Sequence, residues 1–152
     1  MDIQTLEQLL DELERSGGTV RKVITTDPAA VVKMEQLLRL KFPESVRSFY
    51  SLYEYLQVGS YEFVWAKTLP DLVNRVRAQH PDLPNHCLPV LVDGMGGYYY
   101  VVCAEMYNSR PRDFGFVVHH TGAPATPFEL SSTDFLEFVA SRVERAINEL
   151  EQ

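Results

Sequence analysis

The sequence predicts an α+β fold, a mostly antiparallel sheet packed by helices, and three observations carry that reading. Apolar residues recur at helical spacing in residues 1–18, in the region from Val31 to Leu56, and again beyond Asp134. Between these stretches lie short apolar and aromatic runs separated by glycine and proline turns, the pattern of hairpins rather than of crossover units. At 152 residues the chain suits one domain, 1–152, with a substantial core.

Taken in order, Ile3, Leu6, Leu9, Leu10 and Leu13 mark one face of a first helix, which Gly17 and Gly18 stop. Residues 19–24 are a short strand or an irregular connection. Asp27 followed by Pro28 reads as an N-cap and a first helical position for a second helix through Leu40. Pro43 opens a third helix, with Phe42 packing over Val46 and with Val46, Phe49, Tyr50, Tyr53 and Leu56 on its apolar face. The two helices form an αα-hairpin.

Tyr61–Trp65 is predicted as a strand, and Pro70–Ala78 as a fourth helix that ends in the proline loop 80–86. Leu88–Val92 and Tyr98–Ala104 bracket a glycine-rich turn and make a hairpin. Residues 108–113 are a loop, Gly115–His120 a third strand of the meander, and Thr121–Pro127 another turn. Ser131 or Ser132 then caps a closing helix lined by Phe135, Phe138, Val139, Val143, Ala146, Ile147 and Leu150.

Net charge is −7 with no basic run, which argues against nucleic-acid binding and suits a basic protein partner. No apolar stretch approaches a membrane span, and the acidic, amphipathic start lacks the regions of a secretory signal, so the expected address is the cytoplasm. There Cys87 and Cys103 are expected as reduced, buried thiols.

Chemistry-bearing residues are sparse. Asp93–Gly97 leads into the strand Tyr98–Val102, not into a helix, so its glycines serve a hairpin turn and not a phosphate cradle. His86, Cys87, Cys103, His119 and His120 lack paired metal-ligand spacing, and neighbouring strand residues point to opposite faces. Cys103 with His119 or His120, oriented by Asp93, is conceivable as a thiol–imidazole pair, but nothing indicates an activated thiol. No catalytic residue, metal or cofactor is expected.

Three segments arrive in a telling order: Glu35 with Phe42–Tyr50, then Leu88–Val102, then Leu130–Phe138. Glu35, Phe42, Pro43, Glu44, Phe49 and Tyr50 resemble the opening pattern of the SUKH superfamily, which groups fungal cell-wall regulators with many bacterial immunity proteins. Leu88–Val90 through Gly96–Tyr99 is similar to that family's apolar strand, glycine turn and aromatic strand. Ser132, Phe135, Leu136, Glu137 and Phe138 are similar to its closing helix. The chain departs from the family's asparagine–glycine pair after the second helix and reads Leu52–Gly59 there. The resemblance covers about residues 26–139 and leaves the first helix, 1–18, as an addition.

It implies a non-enzymatic protein-binding scaffold, in bacteria most commonly an immunity protein that neutralises a toxin, often a nuclease, by direct contact. The alternatives are a cytoplasmic regulatory or scaffold module and, from another class, a small hydrolase or metal protein. The candidate contact residues are the aromatics Tyr61, Trp65, Tyr98 and Tyr100 and the acids Glu54, Glu62, Asp93 and Asp113, with Glu105 as a further acid. Tyr98 and Tyr100 share one strand face and Tyr99 and Val101 the other. Either one face lies open, or helices cover both and the rings are core.

Overall fold

The computed structural model describes residues 1–81, 83–84, 86–104, 106–107, 110–111, 115–123 and 126–152, with the backbone alone at 106–107 and 110–111. In chain order the elements are α1 (Ile3–Arg15), β1 (Val20–Ile24), α2 (Ala30–Leu38), α3 (Glu44–Leu52), β2 (Tyr53–Val58) and β3 (Tyr61–Glu62). There follow a 3-10 turn (Ala66–Thr68), α4 (Leu69–Gln79), β4 (Cys87–Val92), β5 (Tyr98–Val102), β6 (Met106–Tyr107) and β7 (Arg110–Pro111). The chain closes with β8 (Val117–His120), β9 (Glu129–Ser132) and α5 (Phe135–Leu150). The described strands form a sheet β1-β2-β3, a sheet β4-β5-β8-β9 and the small pair β6-β7, all antiparallel. This is an α+β architecture with the N-terminal helix in place.

The two larger sheets are joined where Phe63 bridges Leu91 and the Val64 amide donates to the Val90 carbonyl at 2.9 Å. One face of this joined surface carries the main core. Leu6, Leu10 and Leu13 of α1, Phe49 of α3, and Phe135, Phe138, Val139 and Val143 of α5 meet Leu56, Val58, Phe63, Val101 and Val117 there. Phe49 is the hub: its ring lies 5.0 Å from Tyr50, 5.6 Å from Tyr53, 5.9 Å from Phe63 and 5.2 Å from Phe135. Edge-on aromatic contacts add to area burial, so truncating Phe49 to alanine would cost about 3–5 kcal/mol. The opposite face of β4-β5-β8 is covered too. Leu72 and Val76 of α4, with Leu83 and Phe128, pack on Tyr100, Val102 and Val118.

Local physics explains the element ends and where expectation slips. Asp2 caps α1 by accepting from the Thr5 amide at 2.8 Å. The cap expected at Asp27 serves a turn instead: its carboxylate accepts from the Ala29 amide at 2.9 Å, and α2 starts at Ala30. Glu35 then locks α2 to α3. Its carboxylate accepts from the Phe42 amide at 2.8 Å and faces Arg47 at 3.5 Å, fixing the αα-hairpin.

The third helix is shorter than its apolar spacing predicts. It stops at Leu52, and Tyr53 and Leu56 reach the core from β2. Pairing along β1 runs Val23 with Tyr55 and Ile24 with Tyr53, so Glu54 is an extra residue at a β-bulge. The bulge lets Tyr53, Leu56 and Val58 share the core face while Tyr55 turns outward. That breaks strand alternation and imitates helical spacing, which misled the sequence reading. At the other end, Ser131 and Ser132 belong to β9, and the cap of α5 is Asp134, which accepts from the Glu137 amide at 3.1 Å. Ser132 supports that cap by accepting from the Asp134 amide at 3.3 Å.

Candidate functional site

The segment Trp65–Thr68 separates two hollows, and the predicted contact residues distribute themselves around it. On one side Glu62, Trp65 and Tyr98 line a groove of about 210 Å³ together with Thr68, Arg75 and the exposed Val92. On the other side Glu54 lines a hollow of about 280 Å³ floored by Ala30, Met34, Tyr50 and Ala66. Tyr98 reaches its groove from β5, Glu62 from the short β3, and Trp65 from the link between β3 and the 3-10 turn.

Trp65 is held flat. Its ring stacks on Tyr55 at 4.1 Å and 16°, and the Lys67 ammonium sits 4.3 Å from its centroid. Tyr55 is mostly buried and its hydroxyl donates to Gln57 Oε1 at 3.1 Å; burial first, and then the neighbouring Glu62 carboxylate, raises its pKa. Tyr55, Lys67 and Val92 were not among the candidates. Reading Tyr53 and Tyr55 as strand residues would have set Tyr55 beside Trp65, and Lys67 lies only two residues beyond that ring.

The other candidates take different places. Tyr100, expected as an anchor with Tyr98, is 2% exposed and belongs to the core beneath α4, so it offers no contact surface. Both sheet faces being covered is the reason. Tyr61 packs on the α5 side, with the Arg142 guanidinium 5.4 Å from its ring, away from the groove. Asp113 lies outside the described residues, as does Glu105. The acids therefore do not form one cluster among the described residues, and Lys67 and Arg75 interleave with Glu54 and Glu62.

Asp93 is committed internally rather than to solvent. Its Oδ1 accepts from the Met95 amide at 2.7 Å and the Gly97 amide at 2.9 Å, and its Oδ2 meets His119 Nε2 at 2.8 Å. Burial pulls this carboxyl upward, but the His119 contact and the two amides outweigh it and hold it below the ordinary carboxylate value. The glycines around it serve the hairpin: Gly96 has φ +96°, and a Cβ at Gly97 would sit 2.3 Å from the His120 carbonyl oxygen.

The pairing of Asp93 with His119 is two thirds of the conceivable thiol triad, but Cys103 does not complete it. His119 sits opposite Tyr99 in the register, and Cys103 lies four residues further along that strand, roughly 13 Å away. Cys103 and Cys87 are both buried, and burial pushes the Cys87 thiol up to about 12. His119 and His120 point to opposite faces, one to Asp93 and the other to the Thr126 carbonyl. Among the described residues no group of three or more His, Cys, Asp or Glu is arranged to hold a metal ion. No described helix is long and apolar enough to cross a membrane.

Arg142 is a buried cation on the α5 side. It is 5% exposed, its guanidinium lies 4.5 Å from Phe138, 5.2 Å from Tyr99 and 5.4 Å from Tyr61, and no carboxylate pairs with it among the described residues. The aromatic faces stand in for a counter-ion. Burial lowers its pKa.

No curated protein sequence matches the chain. A family model, SUKH_5, described as SMI1-KNR4 cell-wall, matches residues 6–112, from within α1 past β7. That match spans well over half of the chain, and with the helix–hairpin order of the fold it identifies the protein as a member of the SMI1-KNR4 family of the SUKH superfamily.

Proposed function

We propose that residues 1–152 act as one non-enzymatic protein-binding domain, a bacterial immunity protein that neutralises a basic toxin domain by direct contact in the cytoplasm. The supporting observation is that Glu62, Trp65 and Tyr98 border one groove while Glu54 borders the hollow beside it. Rigid aromatic rings supply contact area with little entropy loss, and nearby carboxylates complement a basic partner. The net charge of −7 favours encounter with such a partner at long range.

The test is binding to the product of an adjacent toxin-like gene across a salt series, with co-expression of the two. Association slows as salt rises while dissociation changes less. Trp65→Ala or Tyr98→Ala hastens dissociation, with a loss of about 2 kcal/mol or more for a true anchor. Absence of binding together with no protection of the host cell overturns the immunity reading.

A second reading, in keeping with membership of the SMI1-KNR4 cell-wall family, is a regulatory or scaffold module that recognises another cytoplasmic protein. Gene neighbourhood separates the two, because an immunity gene sits beside its toxin.

A further inference from the structure

We propose that the hollow between the start of α2 and the 3-10 turn receives one lysine or arginine side chain of the protein partner, with Glu54 as its counter-ion. This deepens the reading above and rests on it. The hollow is about 280 Å³, and Ala30, Met34 and Ala66 give it apolar walls suited to an aliphatic stem.

Its polar groups are almost all spoken for. The Thr25 hydroxyl donates to the Tyr50 carbonyl at 2.8 Å, and the Tyr50 hydroxyl donates to the Val64 carbonyl at 2.9 Å. Lys33 pairs with Asp27 at 2.8 Å, and Lys67 lies over the Trp65 ring. The start of α2 would ordinarily invite an anion, but Asp27 already closes it through the Ala29 and Ala30 amides. The exposed Thr26 lines the rim, and of the charged groups Glu54 is the exception. It is half-buried, it has no hydrogen bond or ion pair among the described residues, and the β-bulge at its own position sets its direction. A half-buried carboxylate left unpaired above apolar walls calls for a cation carried on an apolar stem.

The experiment is an NMR titration of the full chain with single-residue probes: N-acetyl-arginine methylamide, N-acetyl-lysine methylamide, and the norleucine and glutamate analogues as controls for stem and charge. The basic probes shift the amides of Thr25, Ala30, Met34 and Ala66, the norleucine analogue binds more weakly, and the glutamate analogue does not bind there. Glu54→Gln, which breaks no contact seen within the described residues, weakens the basic probes by about tenfold without lowering thermal stability. Localised shifts that are equal for basic and acidic probes, no localised shift up to the solubility of the basic probes, or undiminished binding to Glu54→Gln each overturn the assignment. The titration needs no toxin, so its failure is distinct from a failure of the immunity reading, which shows as lost partner binding and protection.

Discussion

Asp93 Oδ2 and His119 Nε2 meet at 2.8 Å, linking the β4–β5 turn to the end of β8, two strands away. The same carboxylate accepts from the Met95 and Gly97 amides, so one side chain closes the hairpin turn and ties it to the sheet. Its side chain is 9% exposed, which keeps these contacts from being exchanged cheaply for water.

The linkage has a definite sign. The folded-state pKa of Asp93 lies below its ordinary value of 3.8, so the stabilisation is fully present above that value and is lost as pH falls through and below it. Asp93→Asn is expected to cost about 1–3 kcal/mol at neutral pH. It also flattens the acid limb of a stability-against-pH curve measured by denaturant unfolding. An unchanged acid limb in this variant contradicts the linkage.

Gly96 and Gly97 fail substitution for different reasons. Gly96 has φ +96° with open space around a built Cβ, so Gly96→Ala carries only backbone strain, about 1 kcal/mol. At Gly97 a Cβ would sit 2.3 Å from the His120 carbonyl oxygen, 2.5 Å from Asp93 Oδ2 and 2.8 Å from Thr121 Cα. Gly97→Ala is therefore expected to lower Tm more than Gly96→Ala, because backbone must move. The reverse order in thermal melts refutes the close-contact argument.

Glu35 offers a test of the family's glutamate as a structural group. Glu35→Ala removes the acceptor for the Phe42 amide and is expected to cost about 1–2 kcal/mol. Glu35→Gln keeps an acceptor oxygen and loses only the 3.5 Å pairing with the partly exposed Arg47, a smaller effect. Equal losses in the two variants, measured by urea unfolding, would mean that the ion pair and not the amide dominates.

The two thiols are expected to be inert in the native state. Cys87 is 4% exposed with its thiol pushed up to about 12, and Cys103 is equally buried. A thiol reagent at neutral pH should label both only at the rate of unfolding, and the double change to alanine should cost about one to a few kcal/mol in lost packing. Fast labelling of either cysteine in folded protein disproves this.

The order of helices, the glycine-turned hairpin, the buried cysteines and the resemblance of Glu35–Tyr50 to a known family were all legible from residue types at fixed spacings. Such local patterns depend on periodicity, turn conformation and capping, which act over a few residues. The start of the second helix slipped by a local turn at Asp27, and the end of the third slipped where a distant strand intervened. The bulge at Glu54 is created by pairing with β1, and it turned an apparent helical face into β2. The candidate site divides in the same way. Glu62, Trp65 and Tyr98 were recognisable as amphipathic or charged residues, yet it is the junction of Phe63 with Leu91 and of Val64 with Val90 that draws β3 up to the β4–β5 hairpin and sets them around one groove. Tyr100 and Asp93 looked equally available in the sequence. α4 buries the first and His119 engages the second, because exposure is decided by contacts that are close in space and remote along the chain.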